Sequence, residues 1–143
     1  MTADPAIAAL IPHTGLMCLL ERIVRWDDAS LVATTGTHRR SDHPLLRAGL
    51  LDPVVLCEYG AQAMAVHGGL LASREGRRAP PGLLVSLRDA WLGGGDLRDC
   101  RGDLEVVATR LFGDGNGWQY EFRVAHEGRA LASGRVAVVL RHE

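Results

Sequence analysis

Lysine is absent from this sequence, and all sixteen of its cationic side chains are arginine. Without a lysine amine, the chain has no side chain for Schiff-base chemistry. The formal net charge is −1, so no overall positive field would attract nucleic acid or a membrane surface. We therefore expect no nucleic acid among the partners of this protein.

Cysteine and long apolar runs are also scarce. Cys18, Cys57 and Cys100 are widely separated, and they form no Cys-x-x-Cys pair or other zinc-ligand spacing, so we expect no metal site. An odd number of free thiols favours a reducing cytoplasm. No apolar stretch reaches the roughly 18 residues of a membrane span, and residues 1–10 lack the basic segment of a secretory signal.

The length and composition are those of a globular chain. At 143 residues, with 47% hydrophobic and 23% charged residues, the sequence can bury a sizeable core without disulfides or metals. No repeat, linker or low-complexity segment divides it. We therefore expect residues 1–143 to form a single domain.

One long helix is predicted in the middle of the chain. Asp52 followed by Pro53 is a strong helix start, with a carboxylate N-cap and proline at the first helical position. The helix should run from residue 53 to about residue 72. It is apolar almost all round, which predicts burial on every side. Glu58 and Gln62 interrupt the apolar sequence and, being four residues apart, share one face.

The rest of the chain favours β-structure. A β-branched strand is predicted at residues 31–37, before the helix. Alternating patterns follow the helix at 83–88, 104–112, 118–124 and 130–141, with a Gly-Asp-Gly-Asn-Gly turn at 113–117. Because a curved sheet around a central helix buries both, we predict an α+β fold in which an antiparallel sheet wraps a long helix.

Two segments resemble a known family. The sequence IPHTGLMCLLERIVRW at 11–26 and the sequence HPLLRAGLLDPVVLCEYGAQAMAVHGGLL at 43–71 are similar to hotdog-fold 3-hydroxyacyl-carrier-protein dehydratases. The closer likeness is to the predicted dehydratases of aryl-polyene pigment clusters. The most specific part of the motif comprises Glu58, Tyr59, Ala61 and Gln62. The resemblance covers nearly the whole chain and implies the hotdog fold, a long central helix wrapped by a curved antiparallel sheet.

The resemblance also implies a reaction and its two main residues. Such enzymes convert a 3-hydroxyacyl thioester on acyl carrier protein into the trans-2-enoyl thioester, without a cofactor, at a site between two subunits. Glu58 would be the acid and His43 the base. His43 lies outside any Gly-His-Phe-Pro motif, and Pro53 stands where a glycine N–H would activate the thioester carbonyl. The backbone N–H of Val54 would take over that task.

Further expectations concern the surroundings of the acid and the partners of the chain. Gln62 and His13 are predicted to contribute to substrate binding, and a homodimer or hotdog heterodimer is expected because a sheet edge favours pairing. A rim of arginines would attract an acidic carrier protein. The rim set comprises Arg39, Arg40, Arg47, Arg74, Arg77, Arg78 and Arg88.

Two other functions fit the same sequence. A hotdog thioesterase would use the carboxylate to activate water and release a free thiol. A non-catalytic hotdog partner would stabilise an active subunit of a heteromeric dehydratase, and Pro53 favours this alternative.

Overall fold

The computed structural model describes residues 5–11, 15–80 and 82–141, and it has the α+β architecture predicted from the sequence. All neighbouring strands are antiparallel, in the order β1-β2-β4-β5-β6-β3. Two strands precede the long helix and four follow it. The elements are α1 (Pro5–Leu10), β1 (Arg22–Trp26), β2 (Ser30–Thr35), α2 (Leu56–Arg74), β3 (Gly82–Leu92), β4 (Leu104–Gly113), β5 (Gly117–His126) and β6 (Arg129–Leu140).

The start of α2 confirms the predicted cap. The side chain of Asp52 accepts a hydrogen bond from the backbone N–H of Val54, and a single 3₁₀ turn at Pro53–Val55 leads into the helix. Proline is tolerated in this turn because the first N–H groups of a helix have no partner within it. The helix ends at Arg74, two residues beyond the expected end. No helix in the described parts of the chain is long and apolar enough to cross a membrane.

Close helix–sheet packing fixes the position of α2. A Cβ atom added at Gly60 would lie 2.3 Å from Cγ of Phe122 on β5, and one added at Gly68 would lie 2.2 Å from the ring of Trp118. Both glycines are therefore needed where the helix approaches β5. The neighbouring Tyr59 is completely buried.

The prediction that α2 is buried on every side is wrong for the chain on its own. One line of residues, here called the open stripe, is exposed or half-buried in the described structure, because the sheet covers only the opposite side of the helix. Helical spacing places these residues on one face. The open stripe consists of Val54, Cys57, Glu58, Ala61 and Ala65.

Strand β3 forms one edge of the sheet. It pairs only with β6, and its residues are exposed on both faces, except for Ser86, which is half-buried. Leu84 and Leu87, which pair with the buried Val138 and Val136, remain 50% and 43% exposed although they face the α2 side of the sheet. The edge is thus apolar and unpaired, which is the surface that promotes strand pairing between chains.

Candidate active site

A cavity of about 690 Å³ lies where the loop before α2 meets the start of the helix. Its walls are mainly apolar, with one cationic and two acidic side chains among them. Concave and largely apolar surfaces with a few polar groups are typical of small-molecule sites. The lining residues are Met17, Leu45, Arg47, Leu50, Asp52, Val54, Val55, Cys57 and Glu58.

Glu58 is the acid of this cavity that stands on the regular part of α2. It belongs to the open stripe and is half-buried. Its Oε1 accepts a hydrogen bond of 3.4 Å from Nε2 of Gln62, one helical turn later. A carboxyl group in this position can exchange a proton with a molecule in the cavity while its neighbour restricts its orientation.

Gln62 is completely buried, and its amide group is bonded within the chain. Its Oε1 accepts the backbone N–H of Leu19 at 2.9 Å, and its Nε2 donates to the carbonyl of Met17 at 2.7 Å as well as to Glu58. Gln62 therefore anchors Met17, a cavity wall, and contacts the acid. It does not line the cavity itself, so the substrate contact predicted for it stays a prediction.

His43 is buried, with 4% of its surface exposed, and both of its ring nitrogens have partners. Nδ1 accepts the backbone N–H of Leu45 at 3.1 Å, so the neutral ring carries its proton on Nε2. Nε2 then donates to the hydroxyl of Tyr59 at 3.0 Å. Burial lowers the pKa of His43, and the charge of Arg40 lowers it further.

The hydrogen bonds continue beyond His43 in one direction. The Tyr59 hydroxyl donates to Oγ1 of Thr37 at 2.8 Å, and Thr37 donates to the carbonyl of Leu19 at 2.7 Å. Burial raises the pKa of Tyr59 to about 12, which keeps the phenol protonated. This network ties the loop that carries His43 to α2 and to the residue that Gln62 also holds.

The described chain therefore brings Glu58, but not His43, to the wall of the cavity. The ring of His43 lies against Tyr59, which follows Glu58 in sequence and projects about 100° further round the helix. The role of His43 as a base stays a prediction for the assembled protein.

Two other predicted site groups have different outcomes. The side chain of Val54 is 54% exposed and lines the cavity, but its N–H already donates to Oδ1 of Asp52 at 2.9 Å. The predicted carbonyl donor is therefore engaged by the helix cap, and its role stays a prediction. His13 lies outside the described residues.

Two more histidines are buried and hold the fold together. Nε2 of His38 bonds to the carbonyl of Cys100 at 2.8 Å, and Nε2 of His67 donates to the carbonyl of Asp27 at 2.7 Å. The hydroxyl of Tyr120 donates to Nδ1 of His67 at 2.5 Å. Burial is the first cause that lowers the pKa of the three histidines that are buried in the described structure, His38, His43 and His67.

The predicted rim of arginines is only partly present around the cavity. Arg47 lines it, whereas four members of the rim set form ion pairs elsewhere on the protein. Within the described residues, no three His, Cys, Asp or Glu side chains are grouped closely enough to hold a metal ion. The four ion pairs are Arg39–Asp103, Arg40–Glu21, Arg74–Asp28 and Arg77–Glu75.

Sequence reasoning missed most of the apolar cavity wall. The spacing of Val54, Cys57 and Glu58 on one helical face would have indicated part of it. Met17 and Leu45 gave no such signal, because tertiary packing alone brings them to the helix.

Comparisons with known proteins agree with this architecture. The structure is similar to a chain of the dehydratase heterocomplex ApeI:P from Xenorhabdus doucetiae, with a TM-score of 0.85, 21% identity, and coverage of 96% of this chain and 91% of that chain. It is also similar to S. sahachiroi AziG, with a TM-score of 0.64, 21% identity, and coverage of 93% and 99%. A hypothetical thioesterase with coenzyme A from Streptococcus pneumoniae matches with a TM-score of 0.61, 14% identity, and coverage of 85% and 86%.

At these identities the structural matches establish the hotdog fold. None of the curated proteins matches the chain in sequence. Residues 5–143 match the family described as ApeP-like, ApeP dehydratase. Because this match spans almost the whole sequence, the chain belongs to the ApeP-like dehydratase family.

Proposed function

We propose that this protein is a subunit of a dehydratase that removes water from a 3-hydroxyacyl thioester carried on acyl carrier protein, giving the trans-2-enoyl thioester. The observation that carries the proposal is the carboxyl group of Glu58 on the wall of a mainly apolar cavity. An apolar site strengthens electrostatic and proton-transfer interactions with a bound substrate.

The elimination requires two proton movements. A base takes the α-proton, and its electron pair forms the new C=C bond as the bond from the β-carbon to the hydroxyl group breaks. We propose that Glu58 gives its proton to that hydroxyl group, which leaves as water. His43 remains our proposed base. Because Nε2 already carries the proton that it donates to Tyr59, a second proton must go to Nδ1, and the hydrogen bond from the N–H of Leu45 must open.

Two features of the surface and one structural similarity support pairing with a second hotdog subunit. The open stripe carries Glu58 on an uncovered side of α2, and three of its residues, Val54, Cys57 and Glu58, line the cavity. Strand β3 offers an unpaired edge with exposed leucines on the side that faces the helix. The structurally similar ApeI:P assembly is a heterocomplex. We propose that a partner subunit covers this side and completes the site.

The acyl carrier protein is proposed as the donor of the substrate. Arg47 is an exposed cation at the cavity, and its guanidinium group donates to the carbonyl of Leu46. An arginine at this position suits the acidic surface and the phosphate of a carrier protein with its phosphopantetheine arm.

A second candidate is a partner subunit that takes no part in the chemistry. Two observations favour it: the ring of His43 is fully bonded within the chain, and the Asp52 cap engages the N–H of Val54. Glu58 decides between the two candidates, because a purely structural partner would not need this carboxyl group.

The test uses the protein alone and mixed with a second hotdog dehydratase subunit from the same source. The substrate is a 3-hydroxyacyl thioester of pantetheine or of the acyl carrier protein, and formation of the enoyl thioester is followed by ultraviolet absorbance. Glu58→Gln should lower kcat by about 100-fold or more, the usual contribution of a positioned acid. Glu75→Gln is the matched control, since this exposed acid follows α2 and pairs only with Arg77 among the ion pairs observed.

Each outcome has a distinct meaning. If Glu58→Gln retains full turnover in an active assembly, the chain does not supply the acid. If His43→Ala retains full turnover as well, the non-catalytic role is correct. If the thiol is released and no enoyl thioester forms, the protein is a thioesterase.

A further inference from the structure

We propose that Gln62 is a positioning residue for the reaction, and that it fixes the orientation of the Glu58 carboxyl group through Oε1. This inference rests on the proposed function and adds to it the group that controls the acid. Gln62 is completely buried, whereas Glu58 is half-buried at the cavity, so a substrate would meet the carboxyl group and not the amide.

The orientation of the Gln62 amide is determined by the backbone. The N–H of Leu19 needs an acceptor and the carbonyl of Met17 needs a donor, and both are satisfied by one amide rotamer only. A flipped amide would place its oxygen against the carbonyl of Met17 and against the carboxyl group of Glu58, and its NH₂ against the N–H of Leu19. The second N–H of Gln62 therefore faces Glu58 in every protonation state of the acid.

A fixed donor on one oxygen has a chemical consequence. When Glu58 is neutral, its acidic proton is disfavoured on Oε1, because that oxygen faces the N–H of Gln62. The proton consequently sits on Oε2, and the same oxygen takes it back at the end of each cycle. A donor that needs no reorganisation lowers the cost of each transfer, which is how preorganised hydrogen bonds contribute to rate.

The helix makes this arrangement rigid. Gln62 and Glu58 are four residues apart on the 19-residue α2, one above the other on the same face. The hydrogen bonds of Gln62 to Met17 and Leu19 join the helix to the segment that forms a cavity wall. A change at Gln62 should therefore alter the placement of the acid more than the affinity for substrate.

The first experiment observes the hydrogen bond directly in the full-length, ¹⁵N-labelled protein. The sequence contains only two glutamines, Gln62 and Gln119, and one asparagine, so the side-chain amide region of the spectrum is simple. Glu58→Met should shift one of the two Gln62 amide protons and leave the other, which donates to Met17, close to its original position. Gln119 on β5 is exposed and is an internal control.

The second experiment measures kinetics in the active assembly with a 3-hydroxyacyl pantetheine thioester. Gln62→Met keeps the size of the side chain but removes the donor, and we expect kcat to fall about tenfold, the effect of one such hydrogen bond, with KM unchanged. Tyr120→Phe is the control, because it removes a buried hydrogen bond to His67 at the far part of α2. It should keep kcat within about twofold of the wild type.

The results separate this inference from the proposed function. A selective proton shift in Glu58→Met together with a kcat loss in Gln62→Met supports the inference. No selective shift, a loss confined to KM, or an equal loss in Tyr120→Phe overturns it while an active wild type upholds the function. A wild-type assembly that performs no dehydration overturns both. Because the spectra require no Gln62 variant, poor folding of Gln62→Met does not prevent the test.

Discussion

Replacing Tyr59 by phenylalanine tests the hydrogen-bond network that holds His43. The substitution removes one buried oxygen that accepts from Nε2 of His43 and donates to Oγ1 of Thr37. The ring of Tyr59 is completely buried, and phenylalanine would fill the same space. The change should therefore report the hydrogen bonds with little effect from packing.

The loss in free energy of unfolding depends on which partners of the Tyr59 hydroxyl remain without a hydrogen bond. Thr37 keeps its bond to the carbonyl of Leu19, so it loses only one donor. The N–H of His43 loses its acceptor while buried, which typically costs about 1–3 kcal/mol. With the lost bond to Thr37, the free energy of unfolding should fall by about 2–3 kcal/mol. For a chain of this length, that corresponds to a decrease in Tm of about 8 °C.

Urea denaturation of a double-mutant cycle would measure the pair. Tyr59→Phe and His43→Leu should show a coupling energy of about 1–2 kcal/mol, because each removes a partner of the other. Tyr59→Phe combined with His67→Leu, two turns further along α2, should be additive within about 0.5 kcal/mol. Coupling below about 0.5 kcal/mol for the first pair would refute the network.

Three further predictions follow from the structure. The pKa of each of these three buried histidines lies below its ordinary value of 6.5. Because the unfolded chain therefore binds protons first, the free energy of unfolding should fall as the pH drops below about 6.5, by up to about 1.4 kcal/mol per pH unit for each ring. Equal or greater stability in urea at about pH 5.5 than at 7.5 would contradict this. Gly60→Ala should lower the free energy of unfolding by about 2 kcal/mol or more in the same urea denaturation assay, because its Cβ would meet the ring of Phe122. Gly94→Ala is the control: open space surrounds this position, and the free energy of unfolding should fall by less than about 1 kcal/mol. Leu84→Glu on β3 should reduce the mass of the assembly in sedimentation experiments, while the equally exposed Leu111→Glu should not, and an unchanged mass for Leu84→Glu would exclude β3 as an interface.

Local signals predicted the elements of this fold well. Asp52 and Pro53 fixed the helix start because capping depends on adjacent residues, and the cap has the expected hydrogen bond. The glycine-rich turn at 113–117 was predicted for the same reason, and it joins β4 to β5. The short α1 was not predicted, because its six residues form too brief a pattern to be recognised as a helix.

Long-range effects account for what the sequence did not predict. The alternation in β3 suggested one buried face, but the strand lies at the sheet edge and two irregularities, at 84–86 and 88–91, interrupt its register with β6. The partners of His43 could not be inferred, since Tyr59 and Thr37 are brought together by packing and not by spacing. Glu58 was easier to identify, because a charged residue in an apolar helix is conspicuous without any tertiary information.

The cap that made the helix predictable also limits its chemistry. In many enzymes the first N–H groups of a helix bind anions, because they lack partners within the helix. Here Pro53 has no N–H, the N–H of Val54 donates to Asp52, and that of Val55 bonds to the carbonyl of Asp52. The first backbone N–H groups of the described helix start are therefore already hydrogen-bonded within the helix cap. Activation of a thioester carbonyl then requires either displacement of the Asp52 side chain or a donor from a partner subunit. Asp52→Ala distinguishes the two, because it frees the N–H of Val54. Turnover should rise if the Val54 N–H is the donor, and it should not rise if the donor comes from the partner subunit.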